Sequence, residues 1–456
     1  MKYDVVVIGA GPGGYVAAVR AAGYGMSVAV VERDALGGVC LNWGCIPTKA
    51  LLKSAQAMHY ALRAEEFGFS ASDVSPDIRK IVERSRNVAA TMSKGIEYLF
   101  KRNGVTLVSG TARLLSGKRV EVSGPDGVSI LEYGRVIIAT GSHPASLPFA
   151  PIDGKRIISY RQALVPETLP ESMVVIGSGA IGSELAFFYR SLGVDVTIVE
   201  FMERILPLED DDVCAQVSRQ FRKGGMKVMT GSSVRKIDVS DGLCKVFVDT
   251  PKGEQLLDAE VVLSAVGVRP NTGNLGLEEL GVKMERGRIA VDGNYMTNVD
   301  GIYAIGDVIP TPALAHVASA EAVACVDAIA GKNLEPVDYR YVPACTYIDP
   351  EVASVGMTER AAKEKGLSYR CSKFLFTASG RAAAAGARDG FVKLVVEEGS
   401  DRILGVHIVG DNASEMIGGM VIACRHGVTA TELAKTIFPH PTMSEGIMEA
   451  ADIASI

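Results

Sequence analysis

The strongest constraint on this chain is a device that occurs twice: an apolar strand, a glycine-rich turn, a helix rich in small residues, and a second strand leading into an acid. In the first copy, strand Val5–Ile8 leads into Gly9-Ala10-Gly11-Pro12-Gly13-Gly14. The alanine-rich run Tyr15–Ala22 follows, then strand Ser27–Val31 and Glu32. In the second, strand Met173–Ile176 leads into Gly177-Ser178-Gly179-Ala180-Ile181-Gly182. Glu184–Tyr189, strand Val194–Val199 and Glu200 follow. From Gly14 to Glu32, and from Gly182 to Glu200, the spacing is 18 residues. Gly9 and Gly177 permit the tight turn, Gly11 and Gly179 let the backbone approach a pyrophosphate, and Gly14 and Gly182 let helix and strand pack closely. The helix N-terminus stabilises the phosphates, and Glu32 or Glu200 accepts hydrogen bonds from a ribose. One such glycine pattern is weak evidence, but two in full strand–turn–helix–strand–acid context predict two dinucleotide sites.

Just after the first copy comes Gly37-Gly38-Val39-Cys40-Leu41-Asn42-Trp43-Gly44-Cys45-Ile46-Pro47-Thr48-Lys49. Taken alone, Cys40 and Cys45 are either two buried structural cysteines or a pair that exchanges electrons with a neighbouring cofactor. Pro47 fits the first turn of a helix, which places Cys45 near a helix N-terminus where a thiolate is favoured. A dithiol needs a two-electron acceptor close by, so the first site is expected to hold FAD and the second a nicotinamide. Glu200 favours NAD over NADP, because a carboxylate repels a 2′-phosphate and no arginine directly follows it. Arg204 stands nearby and keeps that preference from being absolute.

The reading is an α/β chain with two Rossmann-like dinucleotide-binding domains and a C-terminal α+β dimerisation domain. Residues 1–148 are expected to form the FAD-binding domain, with a helical insertion at about 50–102 whose charged stretches, such as Arg79–Arg86, read as solvated faces. Thr140-Gly141-Ser142 ends a strand in a close backbone approach. Residues 149–268 form the NAD-binding domain, closed by strand Val261–Val266 and Gly267. Residues 269–336 are expected to return to the first domain through a short strand ending at Asp307, an acid that could bond cofactor hydroxyls and that taken alone reads more often as an Asx turn. Residues 337–456 form the interface domain.

A net charge of −6 argues against nucleic acid or an anionic membrane surface as partner. No apolar run is long enough to span a membrane, and Met1-Lys2-Tyr3-Asp4 runs straight into a strand with no room for a signal peptide, so a cytoplasmic setting is expected. In a reducing compartment a Cys40–Cys45 disulfide is catalytic or redox-sensing. The other six cysteines are scattered without metal-ligand spacing, so no metal is expected, and they read as small apolar packing residues. Near the C-terminus, Phe438-Pro439-His440-Pro441-Thr442-Met443-Ser444-Glu445 offers a base with a pKa near neutrality and a carboxylate to orient it. A loop histidine on its own is as readily structural.

These segments together resemble the dihydrolipoamide dehydrogenases, within the FAD- and NAD(P)-dependent disulfide oxidoreductases. The resemblance spans essentially the full length. It rests on GAGPGGYVAA at 9–18, GGVCLNWGCIPTKA at 37–50, ATGS at 139–142, GSGAIGSE at 177–184, AIGD at 304–307, LAH at 314–316 and HPTMSE at 440–445. It implies a homodimer in which His440 and Glu445 complete the partner subunit's active site. It further implies that a substrate thiol attacks Cys40 while His440 removes its proton, and that Cys45 becomes the thiolate nearer the flavin. Lys49 and Glu184 resemble the ion pair beside the reactive flavin nitrogen. Asp307 matches the residue at the ribityl–phosphate region of FAD, and Ala315–His316 the backbone near the flavin ring. The implied reaction is NAD-dependent oxidation of dihydrolipoamide carried on a lipoylated acyltransferase or glycine-cleavage carrier protein. Phe438 departs from the family's usual histidine, so an NAD(P)H-dependent reductase of another small disulfide, glutathione-like or mercuric-reductase-like, stays open. The mercuric branch ends in a cysteine pair that this chain lacks, and glutathione-type reductases usually prefer NADP. A non-catalytic docking subunit of the same fold and a transhydrogenase without disulfide chemistry are the remaining alternatives.

Overall fold

The computed structural model describes residues 1–240, 242–332 and 335–456. They form two compact units, Met1–Ala50 with Arg79–Ala145 and Val268–Val337, and Leu51–Ile78 with Ser146–Gly267 and Asp338–Ile456.

The first unit is built on β1 (Lys2–Ile8), α1 (Pro12–Gly23), β2 (Val28–Glu32), α2 (Gly38–Trp43) and the start of α3 (Cys45–Leu62). Then follow α4 (Ile78–Arg102), β3 (Thr106–Ser109), β4 (Thr111–Leu115), β5 (Arg119–Gly124) and β6 (Gly127–Ile138). The sheet order is β3-β2-β1-β6-β5-β4, with Ile302–Ala304 beside β6 as a seventh strand. Val5–Ile8 of β1 is buried to 3% exposure or less, and a continuous apolar run of that kind belongs to a parallel strand covered on both faces. On α1 the buried positions are Gly13, Gly14, Ala17, Ala18 and Ala21, small side chains that let the helix lie close to its neighbours. Ile302 pairs with Val136 and Ala304 with Ile138, so the chain does return to the first sheet. β6 does two jobs: its first half pairs antiparallel with β5 and its second half parallel with β1.

The second unit repeats the parallel layout on a smaller scale. Its nucleotide-type sheet runs Lys227–Met229, Asp195–Val199, Ser172–Ile176, Val261–Ser264, Ile157–Ile158, all parallel. Strands Ser233–Ser240, Leu243–Thr250 and Gly253–Ala259 form an antiparallel sheet between the last helix and the closing strand. The C-terminal part is an antiparallel sheet ordered Ala344–Thr346, Glu351–Gly356, Ile403–Gly410, Phe391–Glu397, Tyr369–Leu375. Helices Ala413–Arg425 and Glu445–Ser455 contribute Met416, Ile417, Met420, Ile447, Ala450 and Ala451 to its core. Asp338 accepts from Arg340 N at 3.1 Å and caps a turn at Tyr339–Tyr341, after which the first strand of this sheet runs Ala344–Thr346. Of the six cysteines read as packing residues, Cys214, Cys244, Cys325 and Cys424 are buried, Cys345 is half-buried, and Cys371 is exposed and corrects that reading. Among the described residues no helix is long and apolar enough to cross a membrane.

One buried cation knits the second unit together. Lys393, 2% exposed, donates to Asp210 at 2.8 Å, Asp212 at 2.8 Å and Glu359 at 2.6 Å. Burial alone would push the lysine down, but these three carboxylates carry its pKa above the usual value. The same contacts hold the Asp210 carboxyl below its usual range against its own burial. Removing one partner of such a group leaves an uncompensated buried charge, which costs about 3–5 kcal/mol. Lys393→Ala is therefore expected to lower the stability of this unit by about that amount, read from its urea or thermal midpoint.

Candidate functional site

In both glycine loops the first and last glycines stand where a side chain has no room. Gly9 and Gly177 have φ of +100° and +95°, and a Cβ on either would strike the carbonyl of Ala139 or Ala265 on the next strand of the sheet. A Cβ on Gly14 or Gly182 would collide with the carbonyl of Gly9 or Gly177, so helix and turn touch through backbone alone. The middle glycines differ. A Cβ on Gly179 meets nothing within 4 Å, and one on Gly11 only Gly38 Cα at 4.0 Å. Gly11 and Gly179 also cap their helices without a side-chain bond, so first-turn N–H groups remain available to an anion. Open space and available donors at the same point fit a pyrophosphate at each loop. Glu32 accepts from Ala10 N at 2.7 Å and Asp34 N at 2.8 Å. Glu200 accepts from Ser178 N at 2.8 Å, Ser178 Oγ at 2.7 Å and Met202 N at 2.7 Å. Each acid is thus locked to its own glycine loop. Gly267, beyond the closing strand, has φ +104° and open space at its Cβ position.

The cysteine segment is held against the first loop. Gly37 N donates to Ala10 O at 2.8 Å, and a Cβ on Gly38 would come within 2.7 Å of Gly11 Cα. α2 then carries Cys40, Gly44 breaks the helix with φ −147° and ψ −115°, and Cys45 is the first residue of α3. Thr48 donates to Gly44 O through both N–H (3.0 Å) and Oγ1 (2.6 Å), fixing the first turn of α3. Both cysteines are half-buried. A hydrogen bond with Cys45, then burial, then the charge of Cys45 push the Cys40 thiol up, while the charge of Lys49 opposes them. These effects make the two sulfurs unequal, and Cys45, as the first residue of α3, lies where a helix N-terminus favours a thiolate.

Other predicted residues lie around the rim of this unit. Thr140 Oγ1 donates to Asn271 O at 2.7 Å, Asn271 N to Gly141 O at 2.8 Å, and Ser142 Oγ to Asp307 Oδ2 at 2.5 Å. Gly306 N donates to the fully buried Glu321 at 2.6 Å, and Arg288 donates to the carbonyls of Asp307 at 2.7 Å and Ile309 at 2.9 Å. Ala315 and His316 open the helix Ala315–Ile329. In the second unit, Glu184 is buried on helix Ala180–Ser191 and accepts from Tyr347 N at 2.9 Å. His440 Nδ1 lies 2.7 Å from Glu445 Oε1, and Glu445 Oε2 accepts from Thr442 N at 2.7 Å. The Thr442 N–H and then His440 hold the Glu445 carboxyl below its usual range. An ionised Glu445 orients the ring through Nδ1 and leaves Nε2 to take a proton. Lys49 belongs to the first unit; Glu184, His440 and Glu445 belong to the second.

The chain matches the family model for pyridine nucleotide-disulphide oxidoreductases over residues 3–322, and the dimerisation domain of the same family over residues 342–451. It belongs to the pyridine nucleotide-disulphide oxidoreductases. Members of this family use FAD and NAD, which the two loops fit. The oxidoreductase is 47% identical to a dihydrolipoyl dehydrogenase of Rhizobium etli, over 98% of this chain and 97% of that protein. It is also 47% identical to a dihydrolipoyl dehydrogenase of Chlorobaculum tepidum, over 99% and 96%. Its fold superposes on the crystal structure of LpdA from Mycobacterium tuberculosis with a TM-score of 0.91, 30% identity and 99% coverage of both chains.

The part of the site that sequence reading missed is the inner face of α4. Along Arg79–Arg86 the charged residues Arg79, Lys80, Glu83 and Arg84 are exposed, yet Arg84 also donates to Ala50 O at 2.7 Å, buried Ser85 donates to Pro47 O at 2.9 Å, and half-buried Arg86 donates to Asn42 O at 2.5 Å. Ser93 donates to Leu36 O at 2.9 Å and Asn42 Oδ1 at 3.0 Å. The Arg86 guanidinium also stacks on the Trp43 ring at 4.5 Å. No periodicity marks a helix face that caps other helices' carbonyls, and the one available cue was serine set among arginines. Trp43 is the only tryptophan in the oxidoreductase, so its emission reports on the turn between the cysteines. Arg86→Ala is expected to shift that emission to the red, to raise its quenching by acrylamide, and to slow turnover by about 10- to 100-fold through misplacement of the pair. Unchanged emission would show that α4 does not hold the turn.

Proposed function

We propose that this chain is an NAD-dependent dihydrolipoyl dehydrogenase that acts as a homodimer. The observation that carries the reading is a dithiol seated at the N-terminus of α3 and laced to the first glycine loop, in a chain that resembles proteins of that name along its whole length. Residues 1–148 are assigned to FAD, 149–268 to NAD, 269–336 to the return into the FAD domain and 337–456 to the dimer interface.

The substrate supplies two thiols, and the resting enzyme supplies a Cys40–Cys45 disulfide. His440 takes the proton of one substrate thiol at Nε2. The resulting thiolate attacks Cys40 Sγ, the Cys40–Cys45 bond breaks, and its electron pair leaves on Cys45. Departure from Cys45 is favoured because α3 stabilises that thiolate. The second substrate thiol then attacks the substrate sulfur of the mixed disulfide, its proton passing to the departing Cys40 sulfur, and releases Cys40 as a thiol with a cyclic disulfide product. Two electrons now reside on the cysteine pair. Bound FAD supplies the acceptor for them, and NAD carries them away as hydride. Lys49 and Glu184 are assigned beside the flavin. Gly9, Gly11, Gly14, Glu32, Thr140, Gly141, Ser142, Asp307, Ala315 and His316 are assigned to FAD, and Gly177, Gly179, Gly182, Glu200 and Gly267 to NAD. The exposed His440 ring suits a base that serves the partner subunit's cysteine pair. A lipoylated acyltransferase or a glycine-cleavage carrier protein is the proposed macromolecular partner. A reducing compartment such as the cytoplasm, where a disulfide is catalytic rather than a structural staple, is the proposed setting.

Purified protein is expected to form NADH rapidly from dihydrolipoamide and NAD, and not from reduced glutathione or with NADP. Cys40→Ser abolishes the reaction, and His440→Gln lowers kcat/KM by about 100- to 10,000-fold. Tightly bound FAD without lipoamide turnover would shift the assignment to a reductase of another small disulfide.

A further inference from the structure

We propose that Asp211 is a specificity-determining residue for the pyridine nucleotide, because it occupies Arg204 and so withholds from a 2′-phosphate the one cation on the loop after Glu200. The inference rests on the assignment of Glu200 as the ribose acid.

Between residues 201 and 210, Arg204 is the only lysine or arginine. This loop is pinned over the second glycine turn. Met202 N donates to Glu200 Oε1 at 2.7 Å, Gly231 N to Met202 O at 2.8 Å, and Leu206 N to Ser178 O at 3.1 Å. Arg204 lies between those anchors, so its backbone is confined to the rim of the site. A guanidinium there has the fork of donors that recognises a phosphate and would offset the repulsion from Glu200. Arg204 is instead bonded to the Asp211 carboxylate, which Arg360 also engages. Arg360 further donates to Pro207 O at 3.3 Å, on the same loop.

Asp211 cannot follow a departing arginine. It opens the helix Asp211–Lys223, capped by Asp210, which accepts from Asp212 N at 3.1 Å. The carboxylates on either side, Asp210 and Asp212, are each tied to the buried Lys393 at 2.8 Å. Discrimination is thus divided: Glu200 repels the extra phosphate, and Asp211 removes the cation that would compensate for it while adding a second negative charge. Because the Arg204–Asp211 pair is partly exposed, its effect is modest and sensitive to salt.

Binding of NADP and of NAD to the full-length FAD-loaded protein, measured by titration calorimetry, tests this. Asp211→Asn is expected to tighten NADP about fivefold and to leave the NAD Kd within about twofold. Adding Arg204→Gln is expected to erase the gain, and salt at about 0.5 M to shrink it. An NADP Kd within about twofold of the parent in Asp211→Asn, or a gain that survives Arg204→Gln, overturns the proposal. Asp211→Ser, which keeps a polar residue at the helix start, replaces Asp211→Asn if that variant melts early. Glu200→Gln, run alongside, separates the two claims. An unchanged NAD affinity there overturns the ribose assignment, while a gain erased by Arg204→Gln still supports the role of Asp211.

Discussion

The chemistry of the first unit depends on two backbones passing where no side chain fits. Gly38 crosses Gly11 so closely that a methyl group on Gly38 would force them apart, and Gly37 N bonds Ala10 O at the same crossing. That crossing makes a cysteine pair part of a dinucleotide loop. It sets where α2 begins, so it sets where Gly44 must break it and where α3 restarts at Cys45. The helix terminus that stabilises one thiolate is therefore built into the route the chain takes out of the nucleotide turn. Cys40 lies in the first turn of the short α2, where a hydrogen bond with Cys45 and then burial push its thiol up. The inequality of the two sulfurs gives the exchange its direction, because a disulfide is attacked most readily where the better leaving group lies on the far side.

Much of this was legible in the residues. The two glycine loops and their acids were readable because each glycine answers a steric demand that no other residue meets. Gly9 and Gly177 sit at positive φ against a neighbouring carbonyl, and Gly14 and Gly182 leave no room for a Cβ. The continuous apolar runs Val5–Ile8 and Met173–Ile176 gave away parallel strands. The return strand Ile302–Ala304 was found through the Gly306-Asp307 turn at its end.

What escaped notice is made of contacts between segments far apart in sequence. Antiparallel strands such as Arg119–Gly124 and Tyr369–Leu375 interleave charged and apolar residues and have no turn signal strong enough to stand out. Asn271 and Glu321 hold Thr140 and Gly306 in place, yet an asparagine after a proline and one acid in an alanine-rich helix look ordinary in a list. The inward role of Arg86 does not show in the sequence, because a cation that caps a carbonyl has the same signature as one that faces water, as exposed Arg84 does. The second unit hid its main polar contact in the same way. Lys393 falls in the strand Phe-Val-Lys-Leu-Val-Val-Glu, where alternation places it with neither the core nor the surface.

That lysine also bears on how such a protein can change over generations. Its three acids come from the end of the nucleotide loop, from the start of the helix Asp211–Lys223 and from Glu359 on the interface side, while the lysine itself lies deep in the interface sheet. Losing Lys393 strands the buried Asp210 carboxylate, and losing Asp210 leaves the buried lysine to two acids at the edge of the interior. The dinucleotide part and the dimerisation part of the second unit are consequently not interchangeable modules. A recombinant that joined them from two parents differing at these positions would inherit an unpaired ion, so the four residues are bound to be exchanged, or kept, as a set.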